Sequence, residues 1–234
     1  MGYLGRVFEA SEDENRAAIL DAVAERAPMQ SVLDLGCFDG EFTQRLGSRA
    51  GATHVAGMEF IEEHAERASS VGVDVTMGDL EQRFPYDDAS FDLVHANQVI
   101  EHLRNTDGFL REARRVCRPG GLVVISTNNL ASWHNVAMLA LGLQPMPIHV
   151  SDEVHVGNPM NLRAGEPHMD RGQTHLRLFT GRALVDLAEY HGLELVSLQT
   201  SGYYPLPPRM ARRMVKIDRL HGAFLIAMLR RGAV

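Results

Sequence analysis

An α/β fold, a mostly parallel sheet of seven strands wound by helices, is predicted by three observations. Apolar runs of strand length alternate with helical periodicities at the spacing of βα units. One run, Val32 to Glu41, reads Val-Leu-Asp-Leu-Gly-Cys-Phe-Asp-Gly-Glu, ending in an acid and breaking at two glycines before helix-favouring sequence resumes at Phe42. The 234 residues are enough to bury one substantial core without disulfides.

Taken in order, Ser11 to Arg26 reads as an amphipathic helix, with Ser11 as N-cap, Glu14 three residues later, and Ala18, Ile19, Ala22 and Val23 on one face. The first strand follows, then a helix over Gly40 to Arg49, a strand Thr53 to Glu59, a helix Ile61 to Ser70 and a short strand Asp74 to Met77. Phe91 to Ala96 is a fourth strand, Thr106 to Cys117 a helix, and Gly121 to Thr127 a fifth strand. Arg118-Pro119-Gly120-Gly121 before it is a turn signal. From Asn128 to Leu178 the alternation fails. That stretch holds a helical candidate, Ala131 to Leu143, then scattered Pro and Gly and five of the eleven histidines, the pattern of a binding loop or lid. Regular structure returns with a helix Thr180 to His191, a strand Glu194 to Ser201, a basic amphipathic segment Pro207 to Leu220 and a strand Ala223 to Leu229.

A formal net charge of −7 argues against a general nucleic-acid binder, which gains affinity by neutralising phosphates with basic residues. The charge is uneven: from Pro205 onward the balance is +6, against −13 before it. That basic end is either a solvated helix face or a patch for an anionic substrate or surface. Cys37 and Cys117 make no disulfide framework and no metal pair, and read as reduced thiols of a cytoplasmic protein. No signal-like start or membrane-length apolar stretch is visible, so neither export nor membrane insertion is expected. Many arginines beside a single lysine suggest a bacterial source.

Four further segments sharpen the reading. Glu59 ends the second strand, where an acid can accept from ribose hydroxyls or cap the next helix. Gly78-Asp79-Leu80 follows the third strand. Phe84-Pro85 through Phe91-Asp92-Leu93-Val94 runs on to Asn97-Gln98-Val99-Ile100-Glu101-His102-Leu103, and Arg118-Pro119-Gly120-Gly121 comes next. Together with the loop at Asp34 to Gly40, these resemble the ordered motifs of class I S-adenosylmethionine-dependent methyltransferases, strongly over residues 30 to 130 and more weakly at His175 to Thr180 and the last strands. One departure stands out: Phe38 occupies the middle glycine of the family's Asp-x-Gly-x-Gly-x-Gly, so its side chain is expected to point away from the cofactor. The dinucleotide fingerprint Gly-x-Gly-x-x-Gly fits poorly.

The resemblance implies one domain with a Rossmann-like, seven-stranded, mostly parallel sheet, helices on both faces and an antiparallel last strand. It divides into an N-terminal helix (1–30), a cofactor-binding core (31–127), a lid or substrate insertion (128–178) and a C-terminal part of the fold (179–234). The implied cofactor is S-adenosylmethionine, leaving as S-adenosylhomocysteine. Asp34 is expected at its ammonium, the amides of Gly36, Cys37, Phe38 and Gly40 at its carboxylate, and Glu59 with Phe60 at the ribose side. Gly78, Asp79 and Leu80 are expected at the adenine, and Ala96 and Asn97 at the methionine portion. His102, His134 and His175 are candidate bases for a hydroxyl acceptor, because histidine titrates near neutrality. No metal site is expected: His149, Asp152 and His155 hold cation-type donors at a spacing that fits no recognised motif. The expected partner is a small-molecule acceptor, methylated at oxygen or nitrogen. A tRNA or protein acceptor, a non-catalytic sensor or partner subunit, and, more remotely, an NAD-dependent oxidoreductase are the alternatives.

Overall fold

The computed structural model describes residues 2–151, 153–161, 163–167 and 174–232. The elements run α1 (Tyr3–Ala24), β1 (Ser31–Leu35), α2 (Glu41–Ala50), β2 (His54–Glu59), α3 (Glu62–Ser70), β3 (Asp74–Met77), β4 (Phe91–Asn97), a single helical turn Ile100–His102, α4 (Thr106–Val116), β5 (Cys117–Asn128), α5 (Trp133–Ala140), α6 (Gly181–Tyr190), β6 (Leu193–Ser201), α7 (Pro208–Ile217) and β7 (Phe224–Arg231). The seven strands form one sheet in the order β3-β2-β1-β4-β5-β7-β6, with β7 antiparallel to both neighbours and every other pairing parallel. Strand order reverses direction between β1 and β4, and at their carboxyl ends an open α/β sheet leaves a crevice for ligands.

Alternation along the central strands builds two apolar layers. Leu33, Val94, Val123, Ile125 and Ala227 pack with Phe109, Leu110 and Ala113 of α4 and Leu184 and Ala188 of α6. Val32, Leu93, Val124, Ile226 and Met228 pack on the other face with Ile19, Leu20 and Val23 of α1 and Leu46 and Ala50 of α2. Neither cysteine forms a disulfide, and both are buried. No described helix is long and apolar enough to cross a membrane.

Two boundaries differ from the sequence expectation. The first helix starts at Tyr3 and not at Ser11. Ser11 is buried in mid-helix, its hydroxyl donating to the Val7 carbonyl at 2.9 Å, so the residue read as a cap bonds back one turn instead. The Arg118 to Gly121 turn lies within β5: Phe91 pairs with Cys117, the register jumps, and Leu93 pairs with Leu122, so the turn is an excursion with Gly120 at φ +79°.

One polar side chain interrupts the apolar stripe of α1. Asn15, 2% exposed, donates to Asn97 Oδ1 of β4 (2.9 Å) and to Ser126 Oγ of β5 (3.0 Å), and accepts from Ser201 Oγ of β6 (2.9 Å). It ties the first helix to the carboxyl ends of three strands, and removing it leaves buried polar partners unsatisfied. Asn15→Ala is therefore expected to lower unfolding free energy by about 1–3 kcal/mol, measured by urea titration; a change no larger than that of an exposed α1 substitution would show that the network relaxes without it.

Candidate active site

The loop leaving β1 is shaped by backbone conformation. Gly36 and Gly40 have φ of +77° and +78°, and a Cβ on them would stand 2.8 Å from Val99 Cγ2 and 2.7 Å from the Ala68 backbone, so only glycine fits either place. Phe38 between them also adopts a left-handed φ, +50°, which costs a non-glycine residue about 1 kcal/mol. Its ring is half exposed and meets His64 of α3 edge-on at a centroid distance of 4.2 Å. The side chain that breaks the glycine pattern is thus set against a neighbouring helix. Cys37, by contrast, is buried, and burial pushes its thiol up to about 12.

Acids stand below and beside this loop. Asp34, 3% exposed, accepts from Thr43 Oγ1 of α2 at 2.5 Å and lies 2.7 Å from His95 Nδ1 of β4. Its carboxylate, expected from the sequence at the ammonium, is committed to the scaffold through both oxygens. Glu59, at the tip of β2, accepts from Phe38 N (3.0 Å), Phe60 N (2.9 Å) and Ile61 N (3.0 Å), which fastens the loop after β1 to the start of α3. Asp79 is half-buried after β3, one oxygen accepting from Glu81 N. Phe60 and Met77, 70% and 50% exposed, stand at the same sheet edge, with Gly78 and Leu80 half-buried between them and the turn. At the end of β4, Ala96 is buried and Asn97 is held by Asn15.

The next turn carries a second cluster. Glu101 has no exposed surface and accepts from Thr127 Oγ1 (2.8 Å) and Asn128 Nδ2 (3.3 Å), and burial pushes its carboxyl up to about 7. Its backbone carbonyl receives the N–H groups of Leu176 and Arg177, which pin the far end of the 128–178 insertion to the sheet edge. His102 and His175 meet at 4.7 Å between ring centroids, and His149 stacks on His175 at 5.3 Å. Burial lowers the basicity of both, His175 to about 4. The third candidate, His134, is elsewhere: it stands on α5 against Ser132 and Tyr204. Asp152, named with His149 and His155 as a cation donor, lies outside the described residues.

Sequence reasoning singled out neither Asn15, Thr43, His95 nor Glu101. For Asn15 a signal existed, a polar residue on the stripe of Ala18, Ile19 and Ala22. The role of Glu101 depends on residues 26 and more positions away, which no local pattern reveals.

Burial also pushes His134 down to about 4 from its ordinary 6.5. Between those values the unfolded chain takes up the proton and the folded one does not, so stability is lost as pH falls from 6.5 toward 4. The contribution at pH 5 is about 2 kcal/mol. His134→Gln is expected to shrink the stability difference between pH 7 and pH 5 in urea titrations; an undiminished difference would show that the ring protonates without unfolding.

A family model described as a methyltransferase domain matches residues 8–198. A ubiquinone biosynthesis O-methyltransferase of Maricaulis maris is 35% identical over 107 residues, 43% of this chain and 41% of that protein. A malonyl-[acyl-carrier protein] O-methyltransferase of Erwinia billingiae is 34% identical over 131 residues, 55% of this chain and 50% of that protein. The matches thus span half or less of these curated relatives. An S-adenosylmethionine-dependent methyltransferase structure from Thermotoga maritima superposes with a TM-score of 0.61 at 20% identity, covering 97% of this chain and 93% of that one, a likeness of fold. With the family model matched from α1 into β6 and the cofactor loop in place at the reversal of strand order, the chain belongs to the S-adenosylmethionine-dependent methyltransferases.

Proposed function

We propose that this chain transfers a methyl group from S-adenosylmethionine to an oxygen or nitrogen of a small-molecule acceptor. The observation that carries the reading is the conjunction, on one sheet edge, of a loop with three left-handed residues and the two acids Glu59 and Asp79. The residues present fit the cofactor chemically. Backbone amides from Gly36 to Gly40 suit a carboxylate, and Glu59 keeps acceptor capacity for ribose hydroxyls beyond the three N–H groups it already holds. Asp79 suits the exocyclic amine of an adenine, with Leu80 and the exposed Phe60 as apolar cover. Ala96 and Asn97 border the methionine portion. Asp34 contributes its negative charge from beneath the loop while Thr43 and His95 fix it.

When bound, the cofactor supplies a methyl group already activated by the sulfonium charge. The protein has to align an acceptor with that methyl and keep water out. Residues 128–178 serve as the lid, pinned at one end by the bonds from Leu176 and Arg177 to Glu101. His102 and His175, which meet ring to ring, are assigned to the acceptor side, while His134 packs against Tyr204. The weakened basicity of His175 makes it a poor acceptor for an alcohol proton, so holding the acceptor in place is the larger part of its work. The O-methyltransferase names of the curated relatives favour oxygen.

Calorimetric titration tests the reading: S-adenosylmethionine and S-adenosylhomocysteine bind and NAD does not. Tight NAD binding without response to the methyl donor would overturn it. Asp79→Ala is expected to weaken cofactor binding by about 1–3 kcal/mol, the usual loss when a hydrogen-bonded partner is left unsatisfied; unchanged affinity would move adenine recognition elsewhere.

A further inference from the structure

The geometry points to a divalent transition-metal site formed by Glu101, His102 and His175. One carboxylate oxygen and one nitrogen from each ring lie within 4.8 Å of one another. Three atoms so spaced all lie within about 2.8 Å of one common point, and bonds to such ions are about 2.0–2.2 Å, so the donors need to move by less than about 1 Å to meet an ion there.

The surroundings are those of a ligand set. His102 Nδ1 faces the Thr174 carbonyl at 3.3 Å and His175 Nδ1 faces the Pro147 carbonyl at 2.8 Å. A neutral ring that donates from Nδ1 to a carbonyl keeps its lone pair on Nε2 with the plane fixed, the usual outer support of a metal-binding imidazole. The His175 backbone N–H is in turn held by His149 Nδ1 at 3.1 Å. Glu101 is oriented by Thr127 and Asn128, and Asn128 donates to Gln98 Oε1 at 2.8 Å. Among the described residues, every side-chain donor to this fully buried carboxyl group is neutral, and a buried charge is ordinarily paired or bound to a metal. Gln98 Nε2, in the same network, is buried with no partner among the described residues.

Two imidazoles and one carboxylate suit Zn²⁺, Co²⁺, Mn²⁺ or Fe²⁺ better than an all-oxygen cation such as Ca²⁺, and leave open positions for oxygen ligands. Val99, two residues before Glu101, packs against the Gly36 loop, which sets the cluster beside the cofactor crevice. The open positions therefore take an oxygen of the acceptor, a hydroxyl or one of a vicinal pair. That last assignment rests on the transferase reading; cation binding does not.

The probe is Co²⁺ alone, titrated into the metal-stripped full chain by absorbance and calorimetry, with S-adenosylhomocysteine binding measured on each protein as an independent check of folding. One equivalent is expected to bind, with visible absorption bands, and His102→Ala and His175→Ala are each expected to weaken it at least tenfold while S-adenosylhomocysteine still binds. Glu101→Gln, whose fully buried position puts folding at risk, adds to the case only if it too keeps that binding. No saturable Co²⁺ binding, or binding unchanged in both histidine variants, overturns the site. Metal binding that depends on the two histidines in a chain with no affinity for S-adenosylhomocysteine upholds the site and removes the transferase reading.

Discussion

A carboxylate with no exposed surface is costly unless hydrogen bonds surround it, and the region that distinguishes this chain from a bare α/β scaffold is arranged around one. Glu101 sits where β4 has just ended. Its side chain is held from the end of β5 by Thr127 and Asn128, and its backbone carbonyl by the far end of the 128–178 insertion. Three segments distant in sequence meet on that residue. Because Val99 also packs on the Gly36 loop, the turn that buries Glu101 is fastened to the loop after β1 as well.

The same division of labour holds on the other face. Packing of α1 on the sheet is apolar over Ile19, Leu20 and Val23, which supplies burial but little register. Asn15 adds the direction. A helix that slid by one turn would keep most of its apolar contacts and lose its bonds to Asn97, Ser126 and Ser201 together. Asp34 behaves similarly beneath the loop: fastened to Thr43 and His95, it connects β1 to α2 and β4. Polar groups at the carboxyl edge therefore locate the elements that the apolar layers merely hold.

Much was legible in the chain itself because parallel strands, glycine turns and helix caps are local. The alternation of elements, the strand carrying Asp34 near its carboxyl end, the glycines at 36 and 40, the acid closing β2 and the helix that follows Phe179 each depend on residues within one turn or one pleat, and the structure places each where its pattern put it, to within a residue or two at the ends. Phe38 was equally legible as a departure, since a side chain in a left-handed loop has few directions to take, and it turns to His64. The start of α1 was misplaced because a serine can cap a helix or bond back within one, and only packing against the sheet chooses between them.

What the tertiary structure alone decided are the meetings across long separations. The sequence offered three candidate histidines; folding brings His102 and His175, 73 positions apart, ring to ring and packs His134 against Ser132 and Tyr204. It also made the glutamate of the Glu-His-Leu passage, given no role from sequence, a fully buried group on which β5 and the backbone of residues 176–177 converge. Local sequence determines conformation through sterics and hydrogen bonds that reach a few residues. Which side chains share a site is settled by the winding of the sheet and by where the insertion returns to it, and no periodicity in the chain encodes that distance.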